Sequence, residues 1–195
     1  MFGRYNQNGT SSYVEDPVKD REESKLEEKA ERLRLLISNI TDEYIPMSSL
    51  AFQYFEEARL CYYHGAFIAT IFMVHLAFEE LLRNHYRIIR GQKEKFMSKN
   101  KGLINVDEAS FLDLIDEAKE DNYITKEEAK ELHRLRKLRN RLQHTKDAPP
   151  YKTDLKSSWF GQALRIKTQI EKDAEWAIGL LLTTFVAICK RWNGF

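Results

Sequence analysis

The segment from Leu132 to Asp147 carries the residue types best suited to chemistry on a phosphate. It reads LHRLRKLRNRLQHTKD and holds six cations and no acid between its first residue and Lys146. The whole chain is nearly neutral, with 31 basic and 30 acidic residues, so this cluster is a local feature. A cationic ridge of this kind suits a phosphate backbone. The alternative is a solvated helix surface that offsets the acidic residues between positions 127 and 131.

Helical spacing divides this segment into two faces. A leucine stripe lies on one side and is expected to meet the core: Leu135, Leu138 and Leu142. A polar stripe lies nearly opposite: His133, Lys137, Asn140 and His144. Arg139 falls on the flank between the two, and its long side chain can reach either face. The polar stripe is therefore either plain solvent surface or the wall of a cleft formed with a second copy of the chain.

A carboxylate in an apolar helix is the second candidate for chemistry. The stretch AFIATIFMVHLAFEELLRNHY, residues 66–86, predicts a buried helix that suddenly carries Glu79. Glu79 shares one side of that helix with His75 and Arg83, so it can pair within its own helix. It can also reach across to Arg139, whose planar guanidinium suits a carboxylate. A purely structural ion pair is the other interpretation.

Two short motifs make the chain resemble the HEPN superfamily over residues 45–192. RNRLQH, from Arg139 to His144, matches the R-x(4-6)-H signature of HEPN ribonucleases, in which a polar residue follows the arginine. EELLR, from Glu79 to Arg83, matches the E-x-L-L-[KR] ending of the helix that faces this signature in part of the superfamily. The pair Arg59 and His64 has the same spacing, but leucine follows that arginine and no basic cluster surrounds it. We interpret that pair as structural.

The resemblance implies a metal-independent endoribonuclease that cleaves single-stranded RNA through the RNA's own 2′-hydroxyl. His144 would transfer protons, because imidazole titrates near neutral pH. Arg139 would hold the scissile phosphate and stabilise its charge, and Asn140 would orient His144 or the phosphate. Glu79 would support this site. The remaining cations would bind RNA: Arg134, Arg136, Lys137, Arg141 and Lys146. No cofactor is expected, and the sequence shows no metal-ligand spacing.

Partners follow from the same resemblance. Transesterification benefits from both an acid and a base, whereas one chain offers a single histidine at the site, so we expect a homodimer with the site at its two-fold interface. The role would be that of a toxin, with an antitoxin as possible partner, or of an antiviral-defence effector. A catalytically inactive RNA-binding or protein-interaction module remains the alternative, as does a merely charged surface.

The positioning elements are predicted to be helices throughout. Few glycines and prolines, helical periodicity and no clear strand alternation indicate an all-α fold, an antiparallel bundle of four to five main helices. We expect a polar, disordered leader over residues 1–21 and one HEPN-like domain over 22–195, with an amphipathic extension at 22–40 that the resemblance does not explain. Further helices are predicted at about 46–63, 66–90, 107–120, 125–144 and 159–192, with a loop at 91–106.

The cellular compartment is predicted from weaker signals. The first 20 residues contain no apolar run, so no signal peptide is expected. Cys61 and Cys189 lie in apolar stretches and are expected to be reduced thiols. The two most apolar stretches, 66–78 and 176–189, are shorter than the roughly 20 residues that a membrane span requires. We therefore expect a cytoplasmic protein without a membrane segment.

Overall fold

The computed structural model describes residues 17–38, 49–89, 95–98, 102–143 and 159–192. The helices in this part of the chain are α1 (Pro17–Ser38), α2 (Ser49–Tyr63), α3 (Phe67–Ile89), α4 (Phe111–Glu120), α5 (Lys126–Gln143), α6 (Trp159–Leu180) and α7 (Val186–Trp192). The fold is an all-α helical bundle, which confirms the predicted class. Helix α3 is central, because it packs against α2, α4, α5 and α6.

Helices α2 and α3 form a hairpin that turns at Gly65. The φ angle of Gly65 is 74°, in the left-handed region that a residue without a Cβ adopts freely. The Ala66 amide donates to the Cys61 carbonyl at 2.8 Å and closes the turn. The predicted break at this glycine is confirmed, and it allows α3 to fold back along α2.

The connection between α3 and α4 differs from the predicted loop. Strands β1 (Lys95–Ser98) and β2 (Gly102–Asn105) pair in antiparallel fashion, with Phe96 opposite Ile104. A 3₁₀ turn at Val106–Glu108 follows. Four-residue strands are too short to produce a recognisable alternation, so the sequence does not reveal them.

Capping residues set the starts of α4 and α5. Ser110 and Asp113 form a reciprocal capping box, so α4 begins at Phe111 rather than at the predicted residue 107. At α5, the Thr125 amide donates to the Glu128 carboxylate at 2.7 Å, and the Glu128 amide donates to the Thr125 hydroxyl at 3.1 Å. Threonine followed three residues later by glutamate is the sequence signature of such a box, and the start of α5 agrees with the helix predicted from about residue 125.

The two ends of the described chain show two further departures. Helix α1 begins at Pro17, inside the segment predicted as leader, and residues 1–16 lie outside the described part. The sequence predicts one uninterrupted final helix, whereas in the structure a π-helical turn at Leu181–Phe185 joins α6 to α7. No helix among the described residues combines the length and the apolar character needed to cross a bilayer.

Two glycine substitutions should move stability in opposite directions. At Gly65, an added Cβ would meet Arg32 at an ordinary 3.7 Å, so the cost of Gly65→Ala comes from the backbone and should be about 1–2 kcal/mol. Gly179 lies within α6 and an added Cβ there meets nothing within 4 Å, so Gly179→Ala should stabilise by about 0.5–1 kcal/mol. Urea unfolding of both variants measures this. Equal effects would contradict the assigned turn at Gly65.

Candidate functional site

Arg139 is half-buried where α5 packs against α3. Its guanidinium carbon lies 5.6 Å from the centre of the Phe72 ring, a cation–π contact with α3. One terminal nitrogen, Nη1, donates to the side-chain oxygen of Asn140 at 3.2 Å. Its Nε is buried without a hydrogen-bond partner among the described residues. The structure therefore brings Arg139 and Asn140 into direct contact, and the Phe72 ring packs against the arginine.

His75 lies close to this pair, on α3, although the sequence gave it no role of its own. It is 4% exposed and packs edge-on against Phe111 of α4, with ring centres 4.5 Å apart. Burial, together with the nearby charges of Arg139 and Arg136, lowers the pKa of His75 to about 3. The residue is therefore a neutral imidazole at physiological pH, and its Nδ1 has no hydrogen-bond partner in the described chain.

Glu79 adopts the within-helix pairing. Its carboxylate accepts from Arg83 at 2.7 Å. His75 Nδ1 lies 3.6 Å away, which is too long for a hydrogen bond, and because that imidazole is neutral the two do not form an ion pair. Among the described residues no contact joins Glu79 to Arg139. Of the two pairings that the sequence allows, the structure shows the one within α3, and the supporting role of Glu79 stays a prediction.

Arg83 uses the rest of its guanidinium to hold the connection before α4. It donates to three backbone carbonyls, those of Val106 at 2.6 Å, Asp107 at 3.1 Å and Ala109 at 3.0 Å. Glu79 fixes the arginine, and the arginine holds the backbone of this connection through its carbonyls. The Glu79 and Arg83 motif is thus a structural clamp in this chain.

A basic groove of about 1100 Å³ runs between α4 and the outer face of α5. Asp116 is the single carboxylate among the described residues that line it. Seven cations line it: Lys119, Lys126, Lys130, Arg134, Arg136, Lys137 and Arg141. Four of these belong to the predicted RNA-binding set. The other three, Lys119, Lys126 and Lys130, were not predicted. Lys126 and Lys130 extend the polar stripe, since they precede His133 by seven and three residues, and this helical spacing could have identified them.

His133 bridges the groove instead of facing open solvent. Its Nε2 lies 3.3 Å from the Asp116 carboxylate of α4, while its Nδ1 is buried without a described partner. Burial lowers the pKa of His133, and the charge of Asp116 opposes that shift. One nitrogen is occupied and the other is inaccessible, so His133 is a link between helices. The polar stripe therefore borders α4, and does not point away from the protomer as the helical spacing alone suggested.

Arg134 serves packing as well as charge. Its guanidinium carbon stacks 3.9 Å from the centre of the Trp176 ring of α6, and it lies 3.6 Å from Glu131. The Trp176 indole donates to Glu131 at 3.2 Å. This cation is therefore held in place on the α5–α6 side. Arg134 is nevertheless exposed, as are Lys137 and Arg141, whereas Arg136 is half-buried. Lys137 and Arg141 are therefore the most available of the described residues that were predicted to bind RNA.

Two predicted site residues, His144 and Lys146, lie outside the described part of the chain, so their geometry relative to Arg139 stays a prediction. Within the described residues, no three His, Cys, Asp or Glu side chains are placed to hold a metal ion. Comparison of the chain with protein-family models, with curated proteins and with solved structures finds no match.

The buried imidazole should make stability depend on pH. The folded pKa of His75 is about 3, whereas an unfolded histidine titrates near 6.5, so the unfolded chain binds the extra proton between these values. Stability should therefore fall as pH drops below about 6.5, by up to about 1.4 kcal/mol per pH unit from this residue. His75→Gln should lack that component, and His64→Gln, at an exposed histidine, should retain it. Urea unfolding at about pH 7 and about pH 5 compares them; parallel pH profiles for wild type and His75→Gln would contradict the assignment.

Proposed function

We propose that this chain is a HEPN-type, metal-independent endoribonuclease that cleaves single-stranded RNA. The observation that carries the proposal is the contact between Arg139 and Asn140, the first two residues of the RNRLQH motif, on a helix whose outer face lines a basic groove. The groove supplies binding and the motif supplies charge stabilisation. The two lie on one element, α5, although Arg139 and Asn140 are not among the described residues that line the groove.

The charge of the groove supports a nucleic-acid ligand. Seven of its lining residues are cations in a chain whose formal net charge is only +1, so the field is concentrated at this face. No Phe, Tyr or Trp side chain is among the described lining residues, and the His133 ring is held against Asp116, which argues against base stacking. The groove therefore suits the phosphate backbone of a single strand, with little dependence on base sequence.

Arg139 is suited to a transferring phosphate because its charge is fixed but not neutralised. Phe72 and Asn140 hold the guanidinium, and no carboxylate of the described chain lies within ion-pair distance of it. A half-buried charge acts in a lower effective dielectric than an exposed one, so it stabilises developing negative charge more strongly. Asn140 sets the orientation of the arginine through the observed hydrogen bond.

The proposed reaction uses the RNA's own nucleophile. The 2′-hydroxyl loses its proton to a base and attacks the adjacent phosphorus, and the bond from phosphorus to the 5′-oxygen breaks as that oxygen receives a proton from an acid. The products are a 2′,3′-cyclic phosphate and a 5′-hydroxyl. His144 is the proposed proton-transfer group. One histidine cannot begin as both base and acid, so we propose that a two-fold dimer brings two copies of the motif together.

A non-catalytic RNA-binding or protein-interaction module is the second candidate. The observation that favours it is that side chains of α5 near the motif make structural contacts. Arg134 stacks on Trp176, and His133 bridges to Asp116. In either case we propose a cytoplasmic protein. For the ribonuclease, we propose a toxin, with a possible antitoxin partner, or an antiviral-defence effector.

Cleavage of labelled single-stranded RNA in excess EDTA tests the catalytic proposal. Wild type should give cyclic-phosphate ends, and His144→Ala should reduce the rate by about 10²–10⁴-fold because proton transfer is lost. The matched control is His64→Ala, which removes the histidine of the second Arg-to-His pair and should leave the rate unchanged.

Two outcomes would contradict this assignment. Equal cleavage by wild type and His144→Ala would place the chemistry elsewhere. Absence of cleavage by folded wild type, with RNA still bound, would favour the non-catalytic module.

The salt dependence of RNA binding tests whether RNA binds in the basic groove. Lys126→Gln with Lys130→Gln removes two groove cations and should lower the slope of log Kd against log salt by about 0.7 for each lost phosphate contact. Lys167→Gln with Lys172→Gln changes the net charge equally, at exposed positions on α6, and should leave the slope nearly unchanged. Fluorescence anisotropy at several salt concentrations measures both slopes. Identical slopes for the two pairs would exclude this groove as the binding surface.

A further inference from the structure

Helix α1 carries an exposed apolar stripe that the bundle does not use. Leu26 is 66% exposed, Leu33 is 43% exposed and Ile37 is 57% exposed. Ala30, also exposed, completes the stripe. The spacings between these four residues are four, three and four, so one seam runs along the helix with the alternation that a heptad repeat gives its a and d positions.

The bundle holds α1 by a different face. Leu36 is buried, and Arg32 donates through Nε to the Tyr63 carbonyl at 3.1 Å while its guanidinium lies over the Phe67 ring. At 100° per residue, the seam lies about 110° around the helix from this buried face. Helix α1 therefore has two apolar surfaces, and a partner helix can approach the second without displacing the first.

We propose that α1 pairs with α1 of a second copy of this chain in an antiparallel, two-stranded coiled coil. In this register Leu26 meets Ile37 of the second copy, and Ala30 meets its Leu33. The two-fold axis repeats both pairings, so all four seam residues of each copy are buried in the interface. The small Ala30 side chain lies near the axis, where it lets the helices approach closely.

The charged residues beside the seam indicate that the partner is a second copy of the chain and that it binds in antiparallel orientation. Glu27 and Arg34 are exposed and flank the seam on its open side, seven residues apart. In the antiparallel pair, Glu27 of each copy faces Arg34 of the other, so the surface is complementary to itself. A parallel pair would instead set Lys29 of one copy beside Arg34 of the other and repel. A second copy in antiparallel orientation satisfies the pattern.

This interface is independent of the proposed ribonuclease site, because it uses α1 rather than α5. The seam from Leu26 to Ile37 spans about 17 Å, which is short for a stable interface. Association through α1 should therefore be reversible and dependent on protein concentration. If a dimer also forms through α5, the two isologous contacts together build an assembly of higher order.

Sedimentation equilibrium of the full chain tests the seam. Leu26→Gln with Leu33→Gln should weaken the association at least tenfold and lower the assembly by one step, from dimer to monomer or from tetramer to dimer. Ile88→Gln with Ile89→Gln, at exposed apolar residues of α3, is the matched control and should behave as wild type. A wild-type mass that does not rise with concentration, or an unchanged assembly in the seam variant, would overturn the proposal, since another part of the chain would then cover the stripe.

A charge exchange tests the direction of pairing and does not touch the apolar residues. Glu27→Arg or Arg34→Glu alone should weaken self-association severalfold, because each places like charges across the seam. The double variant should restore wild-type association. Failure of the double variant to recover, while circular dichroism shows both single variants folded, would overturn the antiparallel register.

Discussion

The enclosure of α3 is the constraint on which the rest of the structure depends. Ten of its 23 residues are buried, and four other helices pack around it. A polar group on such a helix either finds its partner inside the protein or stays uncharged there. Tyr86 donates to Asp121, Glu79 pairs with Arg83, and His75 remains neutral in an apolar contact with Phe111. The same enclosure presses Phe72 against the arginine of the candidate site.

The parts of the fold that follow from local rules were predictable. Gly65 ends α2 because its backbone angle excludes a continued helix, and Thr125 with Glu128 starts α5 because two side chains satisfy the free amides. Leu135 and Leu138 are buried, as their spacing indicated. Helical periodicity is repeated along each of these elements, so every turn adds evidence for it.

The parts that depend on tertiary placement were not predictable. The spacing of Glu79 allowed either Arg83 or Arg139 as partner. Only the packing of α3 against the 3₁₀ turn decides for Arg83, which donates to three carbonyls there. The link between His133 and Asp116 joins two helices and leaves no pattern in either. The π-turn in the final helix also leaves no pattern in the sequence, because the apolar residues on both sides of it keep an ordinary helical spacing.

The fixed arginine at Phe72 has a thermodynamic consequence for the whole domain. Arg139 and Arg136 are half-buried, both lower the pKa of His75, and within the described chain no carboxylate forms an ion pair with either, so these two positive charges have no described anionic partner. A ligand that binds only the folded state stabilises it in proportion to the logarithm of its concentration. An anion that pairs with these two charges in the folded protein therefore stabilises the domain, and its binding energy appears as resistance of the domain to unfolding.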